Sequence, residues 1–132
     1  MRQAAAKQGD RIVATDTHTV LVPVGTSLVP TRLPHLFSGV INGALSTNVT
    51  IMKKPAATVD STADNVPAHI ATPPGQKFEK PPANLGKIVS GSATVFINGK
   101  AAARNEDTAE TCNDPDDRPI GKIVAIGSVM IG

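Results

Sequence analysis

Short apolar runs separated by Gly, Pro and Asn set the rhythm of this chain. Ile12-Val13, Val20-Leu21-Val22, Val49-Thr50-Ile51, Ile88-Val89, Val95-Phe96-Ile97, Ile123-Val124 and Val129-Met130-Ile131 are each two or three residues long. Such runs, rich in β-branched residues and bounded by turn formers, predict short strands. Eleven Gly and eleven Pro spread over 132 residues argue against long helices. Residues 11–22 read as two short strands around Thr15-Asp16. Residues 23–35 carry Pro23, Gly25, Pro30 and Pro34 and read as a loop with little room for regular pairing. Phe37, Val40, Ile41, Ala44 and Leu45 fall at helical spacing, but Gly39 and Gly43 weigh against a helix. An extended segment is expected there, with a short helix as the alternative. Residues 48–60 resemble a hairpin turning near Lys53-Lys54. Residues 87–105 read as strands with Asn98-Gly99 as a hairpin turn. The Pro-rich and Gly-rich stretch 65–86 fits an ordered or a flexible loop equally, and residues 121–131 read as a final strand pair.

Two of these segments repeat. Val49-Thr50-Ile51-Met52-Lys53-Lys54-Pro55-Ala56-Ala57 returns as Val95-Phe96-Ile97-Asn98-Gly99-Lys100-Ala101-Ala102-Ala103. Arg11-Ile12-Val13-Ala14, Lys87-Ile88-Val89-Ser90 and Lys122-Ile123-Val124-Ala125 form a second echo, a base followed by Ile-Val and a small residue. A repeated strand-turn-strand unit implies an internally symmetric β structure, and such symmetry suits a symmetric partner.

Composition narrows the picture. The length is that of one domain, residues 1–132. Three Phe and no Tyr or Trp leave Val, Ile, Ala, Thr and Gly to do the packing, so a metal would be a useful extra fastener. The net charge is +2, from scattered bases with no aromatic interleaving, which excludes a nucleic-acid-binding pattern. Asn113-Asp114-Pro115-Asp116-Asp117 lacks the Gly of a Ca²⁺ loop and reads as a solvated turn. No run approaches a membrane span, and the basic N-terminus lacks the apolar stretch of a secretory signal.

His18, His35, His69 and Cys112 are the only histidines and cysteine in the chain. Together they make a complete nitrogen/sulfur set for one tetrahedral Zn²⁺. Their gaps are long and lack paired C-x-x-C or H-x-x-x-H clusters. By spacing alone, unrelated histidines and one buried thiol fit better. Pro34-His35, Pro67-Ala68-His69 and Thr111-Cys112-Asn113 are polar or Pro-flanked places from which a side chain can be aimed inward. A Cys/His pair could also serve a hydrolase, but no residue sits in a recognisable nucleophile turn.

Ala101-Ala102-Ala103-Arg104, Pro55-Ala56-Ala57-Thr58 and the strand from Thr94 to Lys100 resemble the PAAR-repeat family. The likeness also takes in Gly9-Asp10, Asp16-Thr17-His18, Leu33-Pro34-His35, the segment from Leu45 to Val49 and Thr111-Cys112-Asn113-Asp114. Neither repeat spells the full motif, since Thr58 stands for Arg and Ala101 for Pro. The resemblance implies an all-β fold, a compact cone of short strands with three-fold pseudo-symmetry and Pro/Gly-rich loops. It implies a non-enzymatic tip that caps the trimeric VgrG-like spike of a contractile injection machine, either type VI secretion or a phage-tail-like extracellular particle. It further implies one structural zinc, held by His18, His35, His69 and Cys112, and one copy per spike trimer. Effector cargo by association, transient contact with a target-cell membrane, no nucleic acid and no toxin extension complete the expectation. Such a tip is made in the cytoplasm, assembled on the particle and delivered on firing. A metal-free β-repeat binding module and a small zinc or cysteine hydrolase are the competing readings.

Overall fold

The computed structural model describes residues 2–132. The described residues form thirteen strands and no helix: β1 (Gln3–Ala4), β2 (Arg11–Val24), β3 (Ser27–Gly43), β4 (Thr50–Ile51), β5 (Lys54–Pro55), β6 (Thr62–Asn65), β7 (Lys77–Phe78), β8 (Leu85–Ile88), β9 (Phe96–Ile97), β10 (Lys100–Ala101), β11 (Thr108–Thr111), β12 (Arg118–Val124) and β13 (Met130–Ile131). The largest sheet runs β12-β11-β8-β6-β3-β2-β7, all antiparallel, and β12 pairs again with β2 to join the first six strands in a ring. That last pairing closes these six strands into a barrel, with free edges left where the β2–β3 hairpin extends past it. Phe37, Ile12, Ile41, Ile88 and Ile123, each at most 1 % exposed, fill the inside with Ala63 and Ala109.

Three tight turns lie beneath this barrel, at residues 7–10, 58–61 and 104–107. In each, the first residue's N–H donates to the last residue's side chain: Lys7 to Asp10 Oδ2 (3.0 Å), Thr58 to Ser61 Oγ (3.0 Å) and Arg104 to Asp107 Oδ2 (2.8 Å). The third residue of each turn has positive φ, Gly9 at 92°, Asp60 at 79° and Glu106 at 71°. The Ala pairs that precede the turns meet at the centre. Ala6 N–H donates to Ala103 O, Ala103 N–H to Ala57 O and Ala57 N–H to Ala6 O, at 2.9, 3.1 and 3.0 Å, a closed ring of three bonds. A side chain no larger than methyl lets three backbones approach this closely, and Ala6, Ala57 and Ala103 are all fully buried.

Below the ring stand three short two-stranded ribbons, two of them hairpins. β4–β5 turns through Met52 and Lys53 (φ 50° and 70°), and β9–β10 through Asn98 and Gly99 (φ 53° and 80°). Positive φ at both central residues is the type I′ signature that suits the twist of paired strands. The third ribbon pairs β1 with β13, bringing the first and last strands together. Ile51, Ile97 and Ile131 pack there against Ala5, Ala56 and Ala102.

The repeat 49–57/95–103 therefore marks equivalent positions: Ala56 N–H bonds Val49 O, Ala102 N–H bonds Val95 O and Ala5 N–H bonds Val129 O. The second echo is only two-thirds right. Ile41, Ile88 and Ile123 make matching bonds to the turns, so Arg11-Ile12-Val13-Ala14 holds a different place, directly after its turn. Residues 11–22 form one strand instead of two, and 121–131 contribute to β12 and β13, which do not pair with each other.

The larger correction concerns residues 23–35, which are not a loop but part of a fourteen-pair hairpin, β2–β3. Its two-residue turn, Gly25-Thr26, has positive φ at Gly25 (61°), as a type II′ turn demands. Such a turn makes Val24 and Ser27 a hydrogen-bonded pair, and bonded and non-bonded pairs alternate from there. Pro23, Pro30 and Pro34 all fall in non-bonded pairs, where a backbone N–H would point away from the partner strand. The outward bonds of their neighbours agree. Thr17 and Thr19 N–H reach Asn113 and Asp114 side chains, and Leu21 O accepts Gln76 N–H at 2.8 Å. No ladder bond is lost to proline.

Candidate metal centre

Asp16 and His18 are two apart on β2, so both side chains point to the same, inward face. His35 on β3 is the cross-strand partner of Asp16. His69 comes from the segment between β6 and β7, anchored where its N–H donates to Asn84 Oδ1 at 2.8 Å. Cys112 follows β11, and the next two residues clamp it to β2: Asn113 Oδ1 accepts Thr17 N–H (2.7 Å) and Asp114 Oδ2 accepts Thr19 N–H (2.8 Å). The acidic turn expected to be solvated is thus docked at its first two residues.

The four predicted side chains converge. Ring centroids lie 4.9 Å apart for His18 and His69, 5.4 Å for His18 and His35, and 5.6 Å for His35 and His69. Cys112 Sγ is 3.6 Å from His18 Nε2. At their centre is a residue that sequence reasoning had not placed in the site. The fully buried Asp16 takes hydrogen bonds from Thr111 Oγ1, from His69 Nε2 (2.9 Å) and from Asn113 Nδ2 (3.4 Å). Cys112 Sγ is 3.5 Å from its Oδ2. The Asp-x-His spacing on a strand was the available signal.

Donor atoms of Asp16, His18, His69 and Cys112 all lie within 4.8 Å of one another. The ring of His35 stands beside this group, with its nitrogens otherwise engaged. Nδ1 donates to Leu33 O (2.9 Å) and Nε2 accepts Thr72 N–H (3.1 Å). Phe78 of β7 covers the cluster, 5.2 Å from the His35 ring and 5.8 Å from that of His18.

Burial governs the charges. It holds the His18 and His35 imidazoles below their ordinary pKa, opposed at His18 by Asp114 and at His35 by the Leu33 carbonyl. Burial, and next the Asp16 charge, push the Cys112 thiol up to about 11, against backbone N–H groups of Asn84 and Leu85. Neutral imidazoles are the metal-binding form, whereas a neutral buried thiol is a poor nucleophile. The cluster fits a small soft cation. Bond lengths of about 2.0 Å to nitrogen and 2.3 Å to sulfur give a tetrahedral N···S edge of roughly 3.5 Å, close to the 3.6 Å seen between His18 and Cys112. His18 Nδ1, on the far edge of the ring, makes no hydrogen bond but lies 3.4 Å from Asp114 Oδ2, which leaves Nε2 as the nitrogen that faces Cys112.

The fold is thus a closed β structure with three equivalent turns at its centre and a buried imidazole, thiol and carboxylate cluster at one end of its barrel. The model of the PAAR motif family matches residues 34–115 and again 79–131, and the chain belongs to that family. Members of the family are structural rather than catalytic and associate with spike proteins. No curated protein and no solved structure matches the chain.

Proposed function

We propose that this protein is the zinc-clamped tip of a contractile injection spike, seated base-down on a trimeric spike protein with one copy per trimer. The observation that carries it is the closed ring of Ala6, Ala57 and Ala103, which gives one chain three equivalent faces. Below that ring the two-stranded ribbons expose Met52 (50 %), Phe96 (60 %) and Met130 (50 %), one large apolar side chain from each third of the base. A three-fold apolar base is complementary to the blunt end of a three-fold spike.

In this reading His18, His35, His69 and Cys112 hold the ion, His35 exchanging its bond to Thr72 N–H for it. Zinc here supplies cross-linking alone, joining β2, β3, the 66–76 segment and the end of β11 where the barrel is too narrow for a larger core. Three imidazoles and one thiolate leave one positive charge, which the Asp16 carboxylate neutralises inside a site that excludes water. The high thiol pKa and the cover of Phe78 favour a structural role over hydrolysis.

Co-expression with a trimeric spike protein, followed by mass and metal analysis, tests the reading. The expected complex holds one copy of this chain per trimer and about one zinc per chain. Cys112→Ser and His35→Ala should each lose the zinc and lower Tm by roughly 10 °C or more, as loss of a structural metal does in a small domain. A metal-free, fully stable protein that ignores the spike would sink it.

A further inference from the structure

The β2–β3 hairpin does not end at the metal centre. The site sits at the pairs Asp16↔His35 and His18↔Leu33, and six more pairs follow before the turn. β7 joins β2 only at Val20 and Leu21, and β6 joins β3 only from Gly39. Residues 22–29 therefore project with no strand on either side among the described residues. Between Thr19 and Thr31 there is no charged residue, and Val24 (58 %), Leu28 (42 %) and Val29 (42 %) are exposed. Charges begin immediately behind: Arg32, Lys77 and Lys80 against Glu79, all exposed, and the half-buried Asp114 carboxylate that accepts Thr19 N–H.

We propose that residues 22–29 are a lipid-inserting element that seats Val24, Leu28 and Val29 at the acyl boundary of an anionic bilayer while Arg32 and Lys77 remain at the headgroups. This deepens the tip reading, from which it takes the membrane as target. Four residues beyond Leu21 extend about 13 Å at roughly 3.3 Å each, enough to pass the ~5–10 Å headgroup boundary that interfacial elements occupy. The basic collar behind an uncharged apolar point matches a surface that is apolar inside and negative at its rim. A polypeptide partner is the other candidate occupant, and the backbone disfavours it. A strand added to either edge needs outward N–H donors, and Pro23 on β2 and Pro30 on β3 remove one from each edge of the projecting part. Lipid needs no such donors, and each missing one lowers the cost of leaving water. Carbonyls remain unpaired along both edges, so insertion stops at the interface and does not span.

The chain has no Trp or Tyr, so a single Trp reports its own surroundings. Val24→Trp, in the isolated protein with phosphatidylglycerol vesicles, should show a blue shift and quenching by lipid brominated on the acyl chain. Met52→Trp, at the base, should show neither. Adding Leu28→Asp and Val29→Asp to Val24→Trp should abolish the shift. Reversing Arg32 and Lys77 to Glu should weaken partition at least about tenfold at low salt. No shift at Val24→Trp, equal shifts at both reporters, equal binding to phosphatidylcholine vesicles, or a shift that grows with protein concentration without lipid would each overturn the proposal. The assay uses no spike protein, so its failure leaves spike binding intact, and failed spike binding leaves this result standing.

Discussion

Asp16 shows how much of the centre rests on one carboxylate. It accepts bonds from Thr111, His69 and Asn113 while lying beside the Cys112 thiol. The histidine and cysteine set was legible because the chain offers no others. Asp16 was not, since an isolated acid in a polar stretch reads as surface, and only the inward alternation of β2 reveals otherwise. The buried imidazoles set the pH response of the metal-free protein. His18 and His35 bind protons less readily folded than unfolded. Their contribution is therefore intact above the ordinary value near 6.5 and is lost as pH falls through the lowered folded values. The Cys112 shift has the opposite sign. Its pKa rises on folding, so stability is intact below about 9 and declines as pH climbs toward about 11. Urea midpoints of chelator-treated protein should form a plateau between these limits and fall on both sides. A midpoint that holds to pH 5 would show that the imidazoles are not buried as described.

Among the elements, the long hairpin departs furthest from expectation, and the reason is register. Prolines close together signal a loop unless they occupy alternate positions whose N–H groups face outward, and that parity is invisible until the turn is located. The base hairpins were legible because Asn98-Gly99 is a local signal with a repeat upstream, although the expected turn near Lys53-Lys54 falls one residue earlier, at Met52-Lys53, where no Asn or Gly marks it. The parity also makes a test. Deleting Val22, Pro23, Leu28 and Val29 removes two pairs, keeps Pro30 in a non-bonded pair and leaves the turn closed by Val24 and Ser27. Tm should then change by no more than about 3 °C. Deleting Pro23 and Leu28 alone moves Pro30 into a bonded pair, and should cost about 3 kcal/mol, or roughly 10 °C for a domain of this size. Equal melting of the two variants would contradict the alternation.

At the scale of the molecule, three-fold closure is carried by residues too small to advertise it. The Ala pairs read in the sequence as two repeats, since the third copy, Ala5-Ala6, stands apart from the strand that completes it, β13. Crowding at the ring has a measurable consequence. Ala103→Val adds two methyl groups where three backbones already touch, and should cost about 1–3 kcal/mol. The same change at the exposed Ala83 should stay within about 0.5 kcal/mol. Thermal melts of the two variants would separate them. The ring also governs when the protein can exist during its own synthesis. Ala6 is made early, yet its partner Ala103 belongs to the last unit, and the ribbon that completes the base waits for Met130 and Ile131. With its contacts so distant along the chain, the cone has no stable half to form while translation proceeds. It locks only after nearly all of its residues have left the ribosome, and until then the nascent chain is open to chaperones and proteases alike.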